Sequence, residues 1–208
     1  RAFRPSLVVR SWEGVDARSF AEIRPGKPVA YAVGSGLDAS SEDSAAEAKR
    51  LVCRALKHAH APVLVDGGGL SALATQKGRR LLRRRFLNGW ATVITPHIGE
   101  AARLAEPLGI PAGDQKELAR KLALAYGAIA VVKGADTYVS DGETTVCIGE
   151  GTPALAKAGT GDVLAGMLGA LLAQGLDSLD AAVLAVTLHA RAGRIAAERL
   201  TDIAVTAE

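Results

Sequence analysis

Gly159-Thr160-Gly161-Asp162-Val163-Leu164-Ala165-Gly166-Met167-Leu168-Gly169-Ala170-Leu171-Leu172-Ala173 is the stretch from which the chain is best read. From Val163 to Ala173 no side chain is charged or strongly polar, and Gln174-Gly175 closes the run. A bilayer span takes about 20 apolar residues, so this segment is too short to cross one. An all-round apolar helix of this length is expected inside a protein core, with Gly175 as its stop. Gly159, Thr160 and Gly161 precede the helix, and glycine lets backbone N–H groups come close to a ligand. First-turn amides have no partner within the helix, and the helix dipole is positive there, so the turn suits an anion such as phosphate. Asp162 is the awkward member. Its carboxylate either complements the dipole or takes a proton from an attacking hydroxyl.

Upstream, short apolar runs alternate with helical patterns. Pro28–Val33 ends in Gly34-Ser35-Gly36, and helical spacing follows to about Ala59. Pro62–Val65 ends in Asp66-Gly67-Gly68-Gly69, with a helical piece from Leu70. Ala91–Ile94 ends in Thr95-Pro96-His97-Ile98-Gly99-Glu100 and a short helix. Asp114–Tyr126 is amphipathic and helical; Ala128–Val132 ends in Lys133-Gly134-Ala135-Asp136-Thr137. Tyr138–Ser140 and Thr144–Ile148 flank Asp141-Gly142, a hairpin signal. Ser178–Arg199 is a second long helix after the apolar one. This alternation predicts an α/β fold, a mostly parallel sheet covered on both faces. Residues 1–27 supply only a short strand around Leu7–Arg10, so the sheet is expected to lack its first units.

The 208 residues fit one domain. Aromatics are scarce at 4%, so the core must be built of Ala, Val, Leu and Ile. A net charge of +3 suits anionic small ligands without demanding nucleic acid. Cys53 and Cys147 lie in a helical and a strand pattern, which favours buried free thiols over a disulfide. No signal-peptide pattern appears, and the expected location is cytoplasmic. The basic run Arg79–Arg85 has no interleaved aromatics and is expected to be a solvated helix face or a subunit contact rather than a nucleic-acid site.

Ligands of an open parallel sheet sit at the carboxyl ends of its strands. Here those ends carry Gly34 and Gly36, Asp66, Thr95 with His97 and Glu100, and Lys133 with Asp136 and Thr137. Each alone has a bland reading as a turn, a surface histidine or a solvated lysine. Their coincidence beside a glycine-led helix is the signal. Lys133 next to Gly134 is the best phosphate candidate; Lys157 is either a second positive charge or an exposed loop lysine. No Gly-x-x-x-x-Gly-Lys-Ser/Thr loop and no Gly-x-Gly-x-x-Gly fingerprint occurs. His58, His60, His97 and His189 lack metal-ligand spacing, so no metal ligands are assigned.

Thr95–Glu100, Val132–Thr137 and Ala158–Gly166 together resemble the signature segments of the ADP/ATP-dependent NAD(P)H-hydrate dehydratases, a carbohydrate-kinase-like family of ribokinase-like fold. The resemblance runs from about Val29 to the end of the chain. It implies a three-layer αβα sandwich and an adenylate-binding segment at Lys133, Gly134, Ala135, Asp136 and Thr137. It further implies nucleotide phosphates at Gly161, which with Gly159 and Thr160 forms the anion-binding turn read above, and a hydrated nicotinamide nucleotide held by Gly34, Gly36, His97 and Asp162. Asp162 matches the superfamily's base, and ADP or ATP with Mg²⁺ would be the co-reactant. A homo-oligomer, and an epimerase domain preceding the dehydratase, are also implied. Three features depart from the pattern: Thr152 for Asn, Lys157-Ala158 for Thr-Gly, and Gly67-Gly68-Gly69 after Asp66. The absent first strand–helix units predict that these residues are the later part of a longer polypeptide. The rival readings are a small-molecule hydroxyl kinase of the same fold and a non-catalytic adenine-nucleotide-binding module.

Overall fold

A computed structural model describes residues 28–37 and 41–207. The strand expected near Leu7–Arg10 lies outside the described residues. Among the described residues six strands form one sheet: β1 Tyr31–Val33, β2 Val63–Val65, β3 Thr92–Ile94, β4 Ile129–Val132, β5 Thr137–Ser140 and β6 Thr145–Ile148. They are hydrogen-bonded in chain order. β1 to β4 are parallel, and β5 and β6 add as an antiparallel hairpin. The Asp141-Gly142 turn makes that hairpin as expected: Gly142 has φ +102°, and the Asp141 carboxylate accepts from the amides of Glu143 and Thr144. Asp is suited to this because its short side chain bonds backbone two residues on.

Among the described residues six α-helices cover the sheet: α1 Glu42–His58, α2 Gln76–Leu87, α3 Ile98–Ala105, α4 Gln115–Tyr126, α5 Thr160–Ala173 and α6 Ser178–Leu200. Side chains of a strand alternate between faces, and the core divides accordingly. Val63, Val65, Ile94, Ala130 and Val132 pack against α1 to α4. Leu64, Val93, Val131, Val139 and Ile148 pack against α5 and α6. The result is the three-layer sandwich expected from the strand–helix alternation. The helical piece expected from Leu70 resolves into a 3₁₀ turn, Gly67–Ala72, followed by α2.

Three expectations need correction. α5 is not buried all round. Leu164, Ala165, Leu168 and Leu172 face the core, whereas Val163 is 39% exposed and Gly166 and Ala170 are also exposed. A helix laid on a sheet buries only one stripe, and no other described element covers the rest. The arginine run is not wholly solvated, because Arg85 is 3% exposed. Its guanidinium donates to Thr92 Oγ1 at 2.9 Å and to the carbonyls of Ala59, Ala61 and Ala91. Burial lowers its pKa to about 10, which still leaves it charged at neutral pH. Of the cysteines, Cys53 is a buried free thiol as expected, but Cys147 is free and exposed on β6. Among the described residues no helix is long and apolar enough to cross a membrane.

Candidate active site

The carboxyl ends of β1 to β4 converge as the parallel sheet requires. β4 delivers Lys133, whose amide donates to the Pro96 carbonyl at 2.8 Å, so Lys133 and His97 lie side by side as an isolated parallel bridge. The Lys133 ammonium reaches back to β2 and meets the Asp66 carboxylate at 3.0 Å. Asp66 is buried and also accepts from Thr95 Oγ1 at 2.7 Å and Ser35 Oγ at 3.3 Å. Buried carboxylates are tolerated when paired and hydrogen-bonded in this way. Asp66, left without an assigned role by its altered sequence context, is thus the hub of three strand ends.

The α5 turn lies opposite. Gly159 caps the helix at φ +87°, a conformation that favours glycine. Thr160 is buried, and its hydroxyl is engaged by the carbonyls of Leu155 and Lys157. A Cβ on Gly161 would stand 3.5 Å from the Lys133 ammonium, so the lysine flanks the first-turn amides. Asp162 is exposed in the same turn. Its side chain has no hydrogen bond or ion pair with any described residue, and Gly159 receives no side-chain cap from it. A carboxylate in the third helical position that leaves the cap amide alone is free for other chemistry.

A cavity of about 660 Å³ opens between these elements. Its lining includes Lys133, Gly134, Ala135, Thr137, Thr160, Gly161 and His97, so seven of the anticipated residues meet in one space. Gly159, Asp136, Asp162, Gly34 and Gly36 are outside that lining. Gly34 has φ +112°, and a Cβ there would fall 2.0 Å from the Asp66 carbonyl oxygen. The glycine is needed to stack the β1 turn on the Asp66–Gly69 turn, and Gly68, where a Cβ would fall 2.3 Å from the Leu37 carbonyl oxygen, completes the fit. That close approach is the physical reason for a triple glycine after Asp66.

His97 has a double duty. Its Nδ1 accepts from the amides of Gly99 and Glu100, while Glu100 accepts from the His97 amide, a reciprocal cap on α3. With Nδ1 accepting, a neutral ring carries its proton on Nε2, which stands 3.6 Å from the Glu100 carboxylate.

Sequence reasoning missed His189, which lines the cavity from α6. Its pKa is lowered by burial, with Lys133 adding repulsion, while a hydrogen bond with the Thr160 backbone works the other way. Only the packing of α6 over α5 brings it near, so no spacing along the chain announces it. Lys157 also lines the cavity, and its ammonium is held there by carbonyls of the segment after α6.

This αβα sandwich, with a glycine-led helix beside the carboxyl ends of its parallel strands, has the ribokinase-like fold. The structure of the ADP/ATP-dependent NAD(P)H-hydrate dehydratase of Bacillus subtilis, co-crystallised with ATP/Mg²⁺ and soaked with CoA, matches with a TM-score of 0.70 at 26% identity. That match covers 92% of this chain and 66% of the Bacillus chain. The NAD(P)H-hydrate dehydratase (carbohydrate-kinase) family profile matches residues 11–208, and the chain belongs to that family. It is 37% identical over 144 residues to the ADP-dependent (S)-NAD(P)H-hydrate dehydratase of Neisseria meningitidis, covering 68% of this chain and 48% of the relative. It is 44% identical over 138 residues to the bifunctional NAD(P)H-hydrate repair enzyme Nnr of Mycobacterium leprae, covering 65% of this chain and 28% of the relative. The chain thus spans about half or less of the length of these curated relatives.

Proposed function

We propose that the protein dehydrates hydrated NADH or NADPH at the expense of ADP or ATP. The observation that carries this reading is the unpaired Asp162 carboxylate in the α5 turn whose neighbour, Gly161, abuts the Lys133 ammonium. In the proposed reaction Asp162 takes the proton of the C6 hydroxyl on the hydrated nicotinamide ring. The hydroxyl oxygen bonds to the terminal phosphorus, and the bond from that phosphorus to the bridging oxygen of the nucleotide breaks. The C6–O bond then breaks with its electrons leaving on phosphate. A proton is lost from C5, and the C5–C6 double bond of the dihydropyridine returns. The first-turn amides and Lys133 stabilise charge on the transferring group, the main protein contribution in phosphoryl transfer. The lining Lys133–Ala135 and Thr137 holds the adenine nucleotide, and His97 offers Nε2–H to the hydrated nucleotide.

Among the described residues no three His, Cys, Asp or Glu side chains cluster as a metal cage. Mg²⁺ is held largely by nucleotide phosphates and water, so the proposal gives it no protein cage and leaves Asp162 as the base. When bound, the ion neutralises phosphate charge. A cytoplasmic homo-oligomer, fused in the intact polypeptide to a preceding epimerase domain, is part of the proposal. The exposed Leu184, Leu188 and Ile195 on α6 support self-association, and the bifunctional relatives support the fusion.

The test is Asp162→Asn. Recovery of dihydropyridine absorbance from the hydrate should fall by about 10²–10⁴-fold, with adenine-nucleotide affinity measured by calorimetry essentially retained. Undiminished turnover refutes the mechanism. A stably phosphorylated alcohol as the accumulating product assigns the site to a hydroxyl kinase instead.

A further inference from the structure

Lys157 stands two residues before the α5 cap and binds in two directions. Its ammonium nitrogen donates to the carbonyl oxygens of Asp202 at 2.6 Å, Ile203 at 2.7 Å and Val205 at 2.7 Å. An ammonium group has three N–H bonds, so all three are used on one short segment of backbone. At the other end of the residue, the Lys157 carbonyl accepts from the Thr160 amide at 3.4 Å and the Thr160 hydroxyl at 2.8 Å. One residue therefore joins residues 202–205 to the first residue of the anion-binding helix.

Neighbouring contacts run the same way. Thr152 Oγ1 donates to the Asp202 carboxylate at 3.1 Å. Ala207 lies so close to the turn that its methyl would be 3.0 Å from a Cβ on Gly159. Thr201 enters the segment at φ +80°, a conformation that L side chains other than Asn and Asp rarely adopt. Such a conformation persists only when surrounding contacts enforce it. Three carbonyl dipoles aimed at one point repel each other unless a cation sits between them, so the ammonium is what permits the convergence.

We infer that Lys157 is a positioning residue: a tethered cation that clasps residues 202–205 and thereby fixes the backbone amides of Gly159, Thr160 and Gly161 in their anion-binding arrangement. Its effect on turnover rests on the function proposed above, whereas its effect on backbone order does not. Removing the tether leaves a carbonyl cage, open to a small monovalent cation and closed to a bulky one.

The test uses the full chain carrying Lys157→Met, which keeps most of the aliphatic stem and deletes the charge. Hydrogen exchange is followed at the amides of 158–162 and 201–207, with α1 and α4 as internal controls. In the variant both segments should exchange at least about tenfold faster while the controls hold. Ammonium or potassium chloride should slow them again, choline chloride at equal ionic strength should not, and the wild type should respond to none. Steady-state kinetics should show kcat reduced by about tenfold or more, restored by the same two cations, with a smaller change in the KM for the hydrate. Lys157→Arg, which keeps the charge on a planar fork ill-matched to three convergent oxygens, should give intermediate exchange and serves as the second variant. Wild-type exchange in these segments for both variants overturns the inference, as does loosening that neither cation reverses. A wild-type protein that fails to dehydrate the hydrate refutes the proposed activity and leaves the exchange result standing by itself.

Discussion

Asp66→Asn separates two roles that the geometry assigns to one carboxylate. The Asp66 and Lys133 side chains are 8% and 24% exposed and 3.0 Å apart. At an effective dielectric constant of about 20, charges this close attract by about 5 kcal/mol before desolvation is counted. Desolvation of both groups offsets much of that, and asparagine still accepts from Thr95. The net loss is that of one charge-assisted hydrogen bond, about 2 kcal/mol. For a domain of this size the melting temperature should then fall by about 4–8 °C. Nucleotide affinity should move the other way. With Asp66 neutral, Lys133 beside Gly161 is no longer shared with a carboxylate. Even with water-like screening, a full positive charge about 4 Å from a phosphate oxygen contributes about 1 kcal/mol, or roughly a fivefold tighter Kd. Thermal melts and ADP titration by calorimetry, both on the purified full chain, measure the two effects. An unchanged melting temperature, or weaker nucleotide binding in a folded variant, refutes the view that Asp66 and phosphate compete for one ammonium.

Two further outcomes follow from the packing. Arg85→Leu should cost about 3–5 kcal/mol, because it strips the donor from three carbonyls and the Thr92 hydroxyl; urea midpoints at constant slope measure it. His189 is held below its ordinary pKa by burial, so the unfolded chain binds its proton first as pH falls. Stability should therefore be full above about pH 6.5, the free histidine value, and decline as pH drops below it. His189→Gln should remove that decline in urea melts at pH 7.5 and 5.5, and an unaltered pH profile would show that His189 does not cause it.

Strand ends and turns were legible in the sequence because they depend on local chemistry. Apolar runs of four to six residues closed by Gly34, Asp66, Thr95 and Lys133 marked all four parallel strands, and Asp141-Gly142 marked the hairpin. The candidate site was legible in part: the ends of β3 and β4 and the α5 turn bring His97, Lys133 and Gly161 to one cavity, whereas the β1 and β2 ends lie outside its lining. What escaped depends on pairs distant along the chain. Lys157 and Asp202 are 45 residues apart, Arg85 and Ala59 are 26 apart, and His189 reaches Thr160 only across a helix–helix contact. Long polar side chains read as solvated until a particular set of carbonyls turns toward them. The apolar pattern of α5 misled for a related reason: composition gives the number of apolar faces but not how many neighbours are present to cover them.

The sheet adds its strands in the order in which they are synthesised. Each parallel crossover therefore pairs with the strand made just before it, keeping early contacts between near neighbours in the chain. A nascent chain can assemble β1 to β4 and the α1–α4 layer while α5 and α6 are still being made. The part of the candidate site contributed by Lys133 and His97 then exists before the α5 turn. The clasp at Lys157 is later still, since its carbonyl partners follow α6. On the proposed reading, the turn that would hold phosphate is thus completed only by elements made after the sheet that carries Lys133.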